Sequence, residues 1–167
     1  TSQDSFAGLL DPSCLENNPL DLDLYHPGEQ STEQLLAIAK ECEDIALSSD
    51  QRIVNSDGAD VSSHSSVKVY GNTHGFLHSY ASSRHSLSCM LIAQQNDEMQ
   101  RDYSYTSARD MADLFTPKWV ADDAVKRAVS RLGARKIKTR QSPVIFAPEV
   151  ASGLFGHLVS AISGTSQ

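Results

Sequence analysis

Histidine and cysteine are the side chains here best suited to hold a metal or move a proton, and spacing decides what each could do. His74 and His78 are four residues apart in His74-Gly75-Phe76-Leu77-His78. On a helix that spacing puts two imidazoles on one face, as a metal requires. This segment instead straddles a turn and a strand, and four strand residues part the rings by about 13 Å. The pair shares an ion only if the turn bends it together; otherwise these are surface or turn histidines. Ser82, Ser83, Ser86 and Ser88 surround His85, which invites a serine–histidine nucleophile. No G-x-S-x-G elbow accompanies them, and strand serines commonly just face solvent. Neither G-x-x-x-x-G-K-S/T nor G-x-G-x-x-G occurs, so nucleotide binding has no motif behind it.

Two segments suit binding rather than bond making. Arg101, Tyr103, Tyr105 and Arg109 form the densest polar-aromatic stretch. Arginines and aromatics on a strand fit a partner surface or a peptide groove, and equally a cross-strand aromatic pair beside an ion pair. Residues 135–140 carry four of the 14 basic residues, at Arg135, Lys136, Lys138 and Arg140. Phosphate would want such a cluster, but so does a solvated connector after a helix, and no aromatic lies within it to stack on a base. The whole chain of 167 residues carries a formal charge of −7, which argues against nucleic acid as the main partner.

Cys14, Cys42 and Cys89 are odd in number, widely spaced and without a C-x-x-C. They read as reduced thiols of a cytoplasmic protein, not as a disulfide scaffold or a zinc knuckle. The most apolar stretch, 144–162, is broken by Pro148, Glu149, two glycines and His157, so it does not make a membrane span. The chain opens at Thr1 and stops at Gln167, just past an apolar helical pattern. It reads as a piece of a longer protein.

The elements that must position these residues follow from hydrophobic period. Residues 1–30 hold Pro12, Pro19, Pro27 and Gly28 without a steady period and read as an irregular arm. Ser31-Thr32-Glu33-Gln34 is a capping-box pattern. Behind it Leu35, Ile38, Cys42, Ile45 and Ala46 recur at helical spacing, predicting a helix over about 32–48. From Arg52 the period becomes two. Short strands are expected over 52–55, near 61–70, from 76 to 81, from 87 to 93 and from 99 to 105. Turns are expected at Ser56-Asp57-Gly58, Asn72-Thr73-His74-Gly75 and Gln95-Asn96-Asp97-Glu98. Ala108, Met111, Ala112 and Phe115 suggest two helical turns. A helix then starts at Pro117, with Asp122 and Asp123 read as its first turn and Gly133 just past its end. Val144–Ala147 reads as a strand, and Pro148 opens a last helix.

The expected fold class is therefore α+β, an antiparallel sheet of four to five strands with helices packed on one face. The expected divisions are an arm or end of a preceding region over 1–30, a central α+β domain over 31–142, and the start of a following region over 143–167.

The runs KVYGNTHGFLHSYASSRHSLS at 68–88, MQRDYSYTSARDMADL at 99–114, RLGARK at 131–136 and PVIFAPEVASGLFGHLVSAISG at 143–164 resemble the PmbA/TldD family. They are most similar to its PmbA-type branch, from about Phe6 onward. The resemblance implies a cytoplasmic metalloprotease system acting on unfolded or short peptides, although the family was named for modulating DNA gyrase. It implies that TldD-type subunits carry zinc on an H-E-x-x-x-H helix and that PmbA-type subunits pair with them. On the last helix His157 matches the first histidine of that motif, whereas Leu158 stands for the glutamate and Ile162 for the second histidine. One imidazole without the base or the second ligand does not make a zinc site.

The resemblance thus leads to a non-catalytic PmbA-type subunit that partners a TldD-type subunit and helps wall a peptide cavity. Arg101, Tyr103, Tyr105 and Arg109 are the peptide- or partner-binding candidates. No catalytic residue, metal or cofactor is expected within these residues, zinc belongs to the TldD-type partner, and no membrane is involved. The alternatives are a self-sufficient metallopeptidase with ligands outside residues 1–167, and a regulator linked to gyrase or nucleic acid.

Overall fold

Ser31 begins the first helix as its residue type requires. Its Oγ accepts from the Gln34 N–H at 3.3 Å, and the Gln34 Oε1 accepts from the Ser31 N–H at 2.8 Å. Two N–H groups that a helix start leaves without partners are satisfied reciprocally. Ser31→Ala is expected to lower the unfolding free energy by about 1 kcal/mol, read as an earlier urea midpoint with an unchanged slope. A midpoint that stays put would mean that packing alone holds this helix start.

The computed structural model describes residues 7–16 and 18–163. The expected start of the resemblance at Phe6 and the chain end at Gly164–Gln167 lie outside them. The described chain falls into two compact units divided between Ala134 and Arg135. In the first unit helix α1 (Thr32–Ser49) leads into strands β1 (Ile53–Gly71), β2 (Leu77–Gln95) and β3 (Glu98–Ala108), followed by helix α2 (Pro117–Ser130). The second unit contains helix α3 (Pro148–Ala161).

The strands form one antiparallel sheet in the order β1-β2-β3. Alternation along β2 sends Leu87, Cys89, Leu91 and Ala93 to one face, where all four are buried. Cys42 and Ala46 of α1, Ile53 of β1 and Val120, Ala121, Ala124, Val125 and Ala128 of α2 complete that core. The run of small residues on α2 lets its backbone lie close to the sheet. The two helices therefore cover one face, as α+β layering predicts.

The expected four to five strands are corrected to three. Ser56-Asp57-Gly58 is not a turn but an irregularity within β1: the pairing register shifts between Ile53 and Asn55 and again between Ser56 and Gly58. Gly58 has φ +113°, a left-handed conformation that glycine adopts without strain, so the strand bends and continues. The serine-rich 82–86 segment likewise does not interrupt β2. Its hydroxyls pair across the ladder, Ser62 with Ser86 at 2.7 Å and Ser66 with Ser82 at 3.2 Å. Val144–Ala147 is not a strand, and its residues are exposed; the second unit has no strand among its described residues with which it could pair. The expected helical turns from Ala108 are replaced by the end of β3 and one 3-10 turn at Met111–Asp113, capped by Asp110. Asp122 and Asp123 sit beyond the first turn of α2 and instead pair one helical turn away, Asp122 back to Lys118 and Asp123 on to Arg127.

β1 and β2 run on past the helices. β3 ends where Ala108 meets His85, while the β1–β2 pairing continues to Gly71 and Leu77. This two-stranded extension carries the features that bear on function.

Candidate functional site

Of the four residues expected to bind peptide or partner, the fold brings three together. Arg101, Tyr103 and Tyr105 alternate along β3 with Asp102, Ser104 and Thr106, so strand period alone puts them on the face away from the helices. The tyrosine rings stack at 6.2 Å between centroids. Arg101 Nη1 reaches Asp57 Oδ2 of β1 at 2.8 Å across the sheet. Across the ladder Met90 faces Tyr103 and Ile92 faces Arg101. The result is an amphipathic patch of exposed rings with one arginine at its margin. The opposite side of β3 is structural: Ser104 Oγ donates to Asp123 Oδ2 at 2.7 Å. Burial pushes the Asp123 carboxyl up, but bonds from Ser104 and Arg127 outweigh it and hold the group below the usual aspartate range.

Arg109 lies apart from that patch. Its Nη1 donates to the Ser83 carbonyl at 2.9 Å, and its own carbonyl accepts from Ser83 Oγ at 2.8 Å. Ser83 is almost fully buried and joins three segments. Its N–H donates to the Leu24 carbonyl at 2.9 Å, and its Oγ accepts from the His26 N–H at 2.8 Å. His85 Nε2 meets the His26 carbonyl at 2.8 Å, which assigns that nitrogen the proton. Gly28 packs closely beside it: a Cβ there would come within 2.8 Å of Ser63 Oγ and 3.1 Å of His85 Cε1, so the Ser63 hydroxyl and the buried ring would have to give way. Each polar group of Ser83 and the donor of His85 are thus committed, the Ser83 carbonyl to the Arg109 guanidinium and the others to backbone. They pin the arm to the sheet and are not arranged as nucleophile and base.

The arm and the strand extension enclose a groove of about 1050 Å3. Leu20, Leu22 and Tyr25 line one side, and Tyr70, Phe76 and Tyr80 the other. Lys68 lies over the Tyr80 ring at 5.9 Å. Leu20-Asp21-Leu22-Asp23-Leu24 alternates apolar and acidic residues, an extended pattern within the segment expected to be irregular. What no local pattern gives is its meeting with β2, where the Leu24 carbonyl accepts from the Ser83 N–H, 59 residues away in sequence.

The remaining candidates are placed as follows. His74 Nδ1 contacts the Leu10 carbonyl at 3.0 Å, whereas the His78 ring lies tilted against that of Phe76 at 4.5 Å between centroids. Cys42 and Cys89 are buried in the core, and Cys14 is exposed. The hydrogen bond with the Cys89 thiol, then burial, raises the pKa of Cys42, so it stays a thiol. His157 and Leu158 lie on α3 and Ile162 is its C-cap, all three exposed. Hydrocarbon side chains cannot ligate, so these positions do not fit a zinc ion. Among the described residues no group of three or more His, Cys, Asp or Glu could hold a metal, and no helix is long and apolar enough to cross a membrane.

Comparison with known proteins follows the same lines. Residues 25–132 match the family model described as the PmbA/TldA metallopeptidase central domain. The chain is 51% identical over 166 residues to metalloprotease PmbA of Escherichia coli O157:H7, covering 99% of this chain and 37% of that protein. It is 45% identical over 166 residues to a metalloprotease PmbA homolog of Haemophilus influenzae, again across 99% of this chain and 37% of the relative. The chain therefore spans little more than a third of these curated relatives. A crystal structure of a candidate modulator of DNA gyrase from Bacteroides thetaiotaomicron shares the fold with a TM-score of 0.88 at 22% identity, over 99% of this chain and 38% of that one.

Proposed function

The chain belongs to the PmbA/TldD metallopeptidase family, and from that premise we propose that it is part of a PmbA-type subunit that does not itself carry the metal. Its role is to pair with a zinc-bearing TldD-type subunit and to help wall the cavity in which short or unfolded peptides are cut. The observation that carries this reading is α3, where His157-Leu158-Val159-Ser160-Ala161-Ile162 stands in the place of H-E-x-x-x-H. Zinc hydrolysis needs several protein ligands and a base that accepts the proton of the metal-bound water. Leu158 offers no base and Ile162 no ligand. The names of the relatives support the peptidase side of the proposal, and the outward patch of Arg101, Tyr103 and Tyr105 suits a partner surface. Three unpaired cysteines agree with a reducing cytoplasmic setting.

The test is elemental analysis of the dialysed chain and of the longer PmbA-type subunit. Both are expected to hold far less than one zinc per chain, and peptide cleavage is expected only when the TldD-type subunit is added. One zinc per chain that is lost in His157→Ala, or cleavage by the longer subunit alone, would replace the proposal with a self-sufficient enzyme.

A further inference from the structure

β2 changes neighbours along its length. From His85 to Ala93 it is paired on both sides, and before His85 it pairs with β1 only. At Ser83 the outward side is met by other means: the N–H donates to the Leu24 carbonyl and the carbonyl accepts from Arg109. In an antiparallel pair, main-chain groups point to the same side at every second residue. Ser83 turns its N–H and carbonyl away from β1, so Ala81 and Ser79 do the same. The arm provides one rung, at Leu24, and makes no main-chain bond to Ala81 or Ser79 among the described residues. Between the arm and this open length of strand runs the groove described above.

We propose that the β2 edge at Ser79 and Ala81 is a strand-addition site for an extended peptide. The peptide continues the rung that the arm begins at Ser83, with its side chains against Leu20, Leu22, Phe76 and Tyr80. Three observations select this occupant. The unmet groups are main-chain donors and acceptors at strand spacing, which another extended backbone matches. The volume of about 1050 Å3 is at the top of the roughly 300–1,000 Å3 usual for ligand sites, enough for a few residues. Asp21, Asp23 and Lys68 all line the groove, so it offers no uniformly positive surface with which to select a phosphate or a nucleic acid. The inference deepens the reading above, on which the peptide nature of the substrate rests, by naming an edge that receives it.

The probe is a fluorescein-labelled hexapeptide of alternating valine and threonine, titrated into the purified chain by fluorescence anisotropy. Two further versions carry N-methyl groups on either alternate set of amides. Saturable binding is expected, with one methylated version weakened about tenfold by the loss of its rungs and the other nearly unaffected. Ala81→Pro removes the outward N–H without touching the β1 ladder, and edge positions of this kind admit proline. It too is expected to weaken binding about tenfold, with circular dichroism reporting that the sheet is retained. Should that variant lose its fold, the methylated pair decides. Equal binding of both methylated peptides, full binding by a folded Ala81→Pro, or no saturable binding of the parent peptide each overturns the proposal. None of these readouts involves zinc or cleavage, so the non-catalytic reading stands or falls separately.

Discussion

Leu91→Ala is expected to lower the unfolding free energy by about 3–5 kcal/mol, among the largest effects any single change should have on this fold. Leu91 lies in the central strand with no exposed surface, between the ladders to β1 and β3 and beneath the helices. Truncation removes its apolar contacts and leaves a cavity that rigid strands on both sides cannot close. Leu87 is equally apolar and nearly as buried, but it borders a cleft of about 250 Å3 lined by Ile38, Val61, Met111 and Phe115. Its neighbours can shift into the space, so Leu87→Ala should lower stability by only about 2–3 kcal/mol. Urea titrations of both variants, with parallel slopes, measure the difference. Equal losses would mean that the core is as closed at Leu87 as at Leu91.

Ser83→Ala should lower stability by about 2–4 kcal/mol, far more than an average serine. The hydroxyl donates to the Arg109 carbonyl and accepts from the His26 N–H, and its loss strands both in a partly buried setting where water does not fully replace it. Ser86→Ala is the control. Its hydroxyl pairs only with that of Ser62 at an exposed position, so the change should stay under about 1 kcal/mol. Because Ser83 also pins the arm, its replacement should speed amide exchange and proteolysis across residues 18–28 while α1 and α2 remain protected. Similar losses for the two serines, or an arm that stays protected, would show that the arm is held by packing rather than by this residue.

The elements legible in the sequence are those whose signal is local. The capping box and apolar period of α1, the proline start of α2 and the alternation of β2 each lie within a few residues of what they specify. The same locality explains the misreadings. Ser56-Asp57-Gly58 has turn chemistry, but whether a glycine turns the chain or bends a strand depends on whether β2 offers pairing on both sides of it. Ala108–Phe115 has a plausible helical period, yet Ser104 and Thr106 gain buried partners only if β3 runs on beside β2.

For function, the local information is the run of residue types. His157, Leu158 and Ile162 are a statement about ligand chemistry that holds wherever the helix sits, because a hydrocarbon side chain has no lone pair to give a metal. The outward direction of Arg101, Tyr103 and Tyr105 is also local, since a period of two needs no knowledge of the partner strand. Arg109 falls outside that rule because β3 ends at Ala108, and only the tertiary structure turns its guanidinium to the Ser83 carbonyl. The groove and the open edge of β2 are likewise tertiary facts. They exist because β3 is shorter than the strand it pairs with and because the arm crosses the gap, and main-chain groups left free by a missing neighbour leave no mark on the residues that carry them.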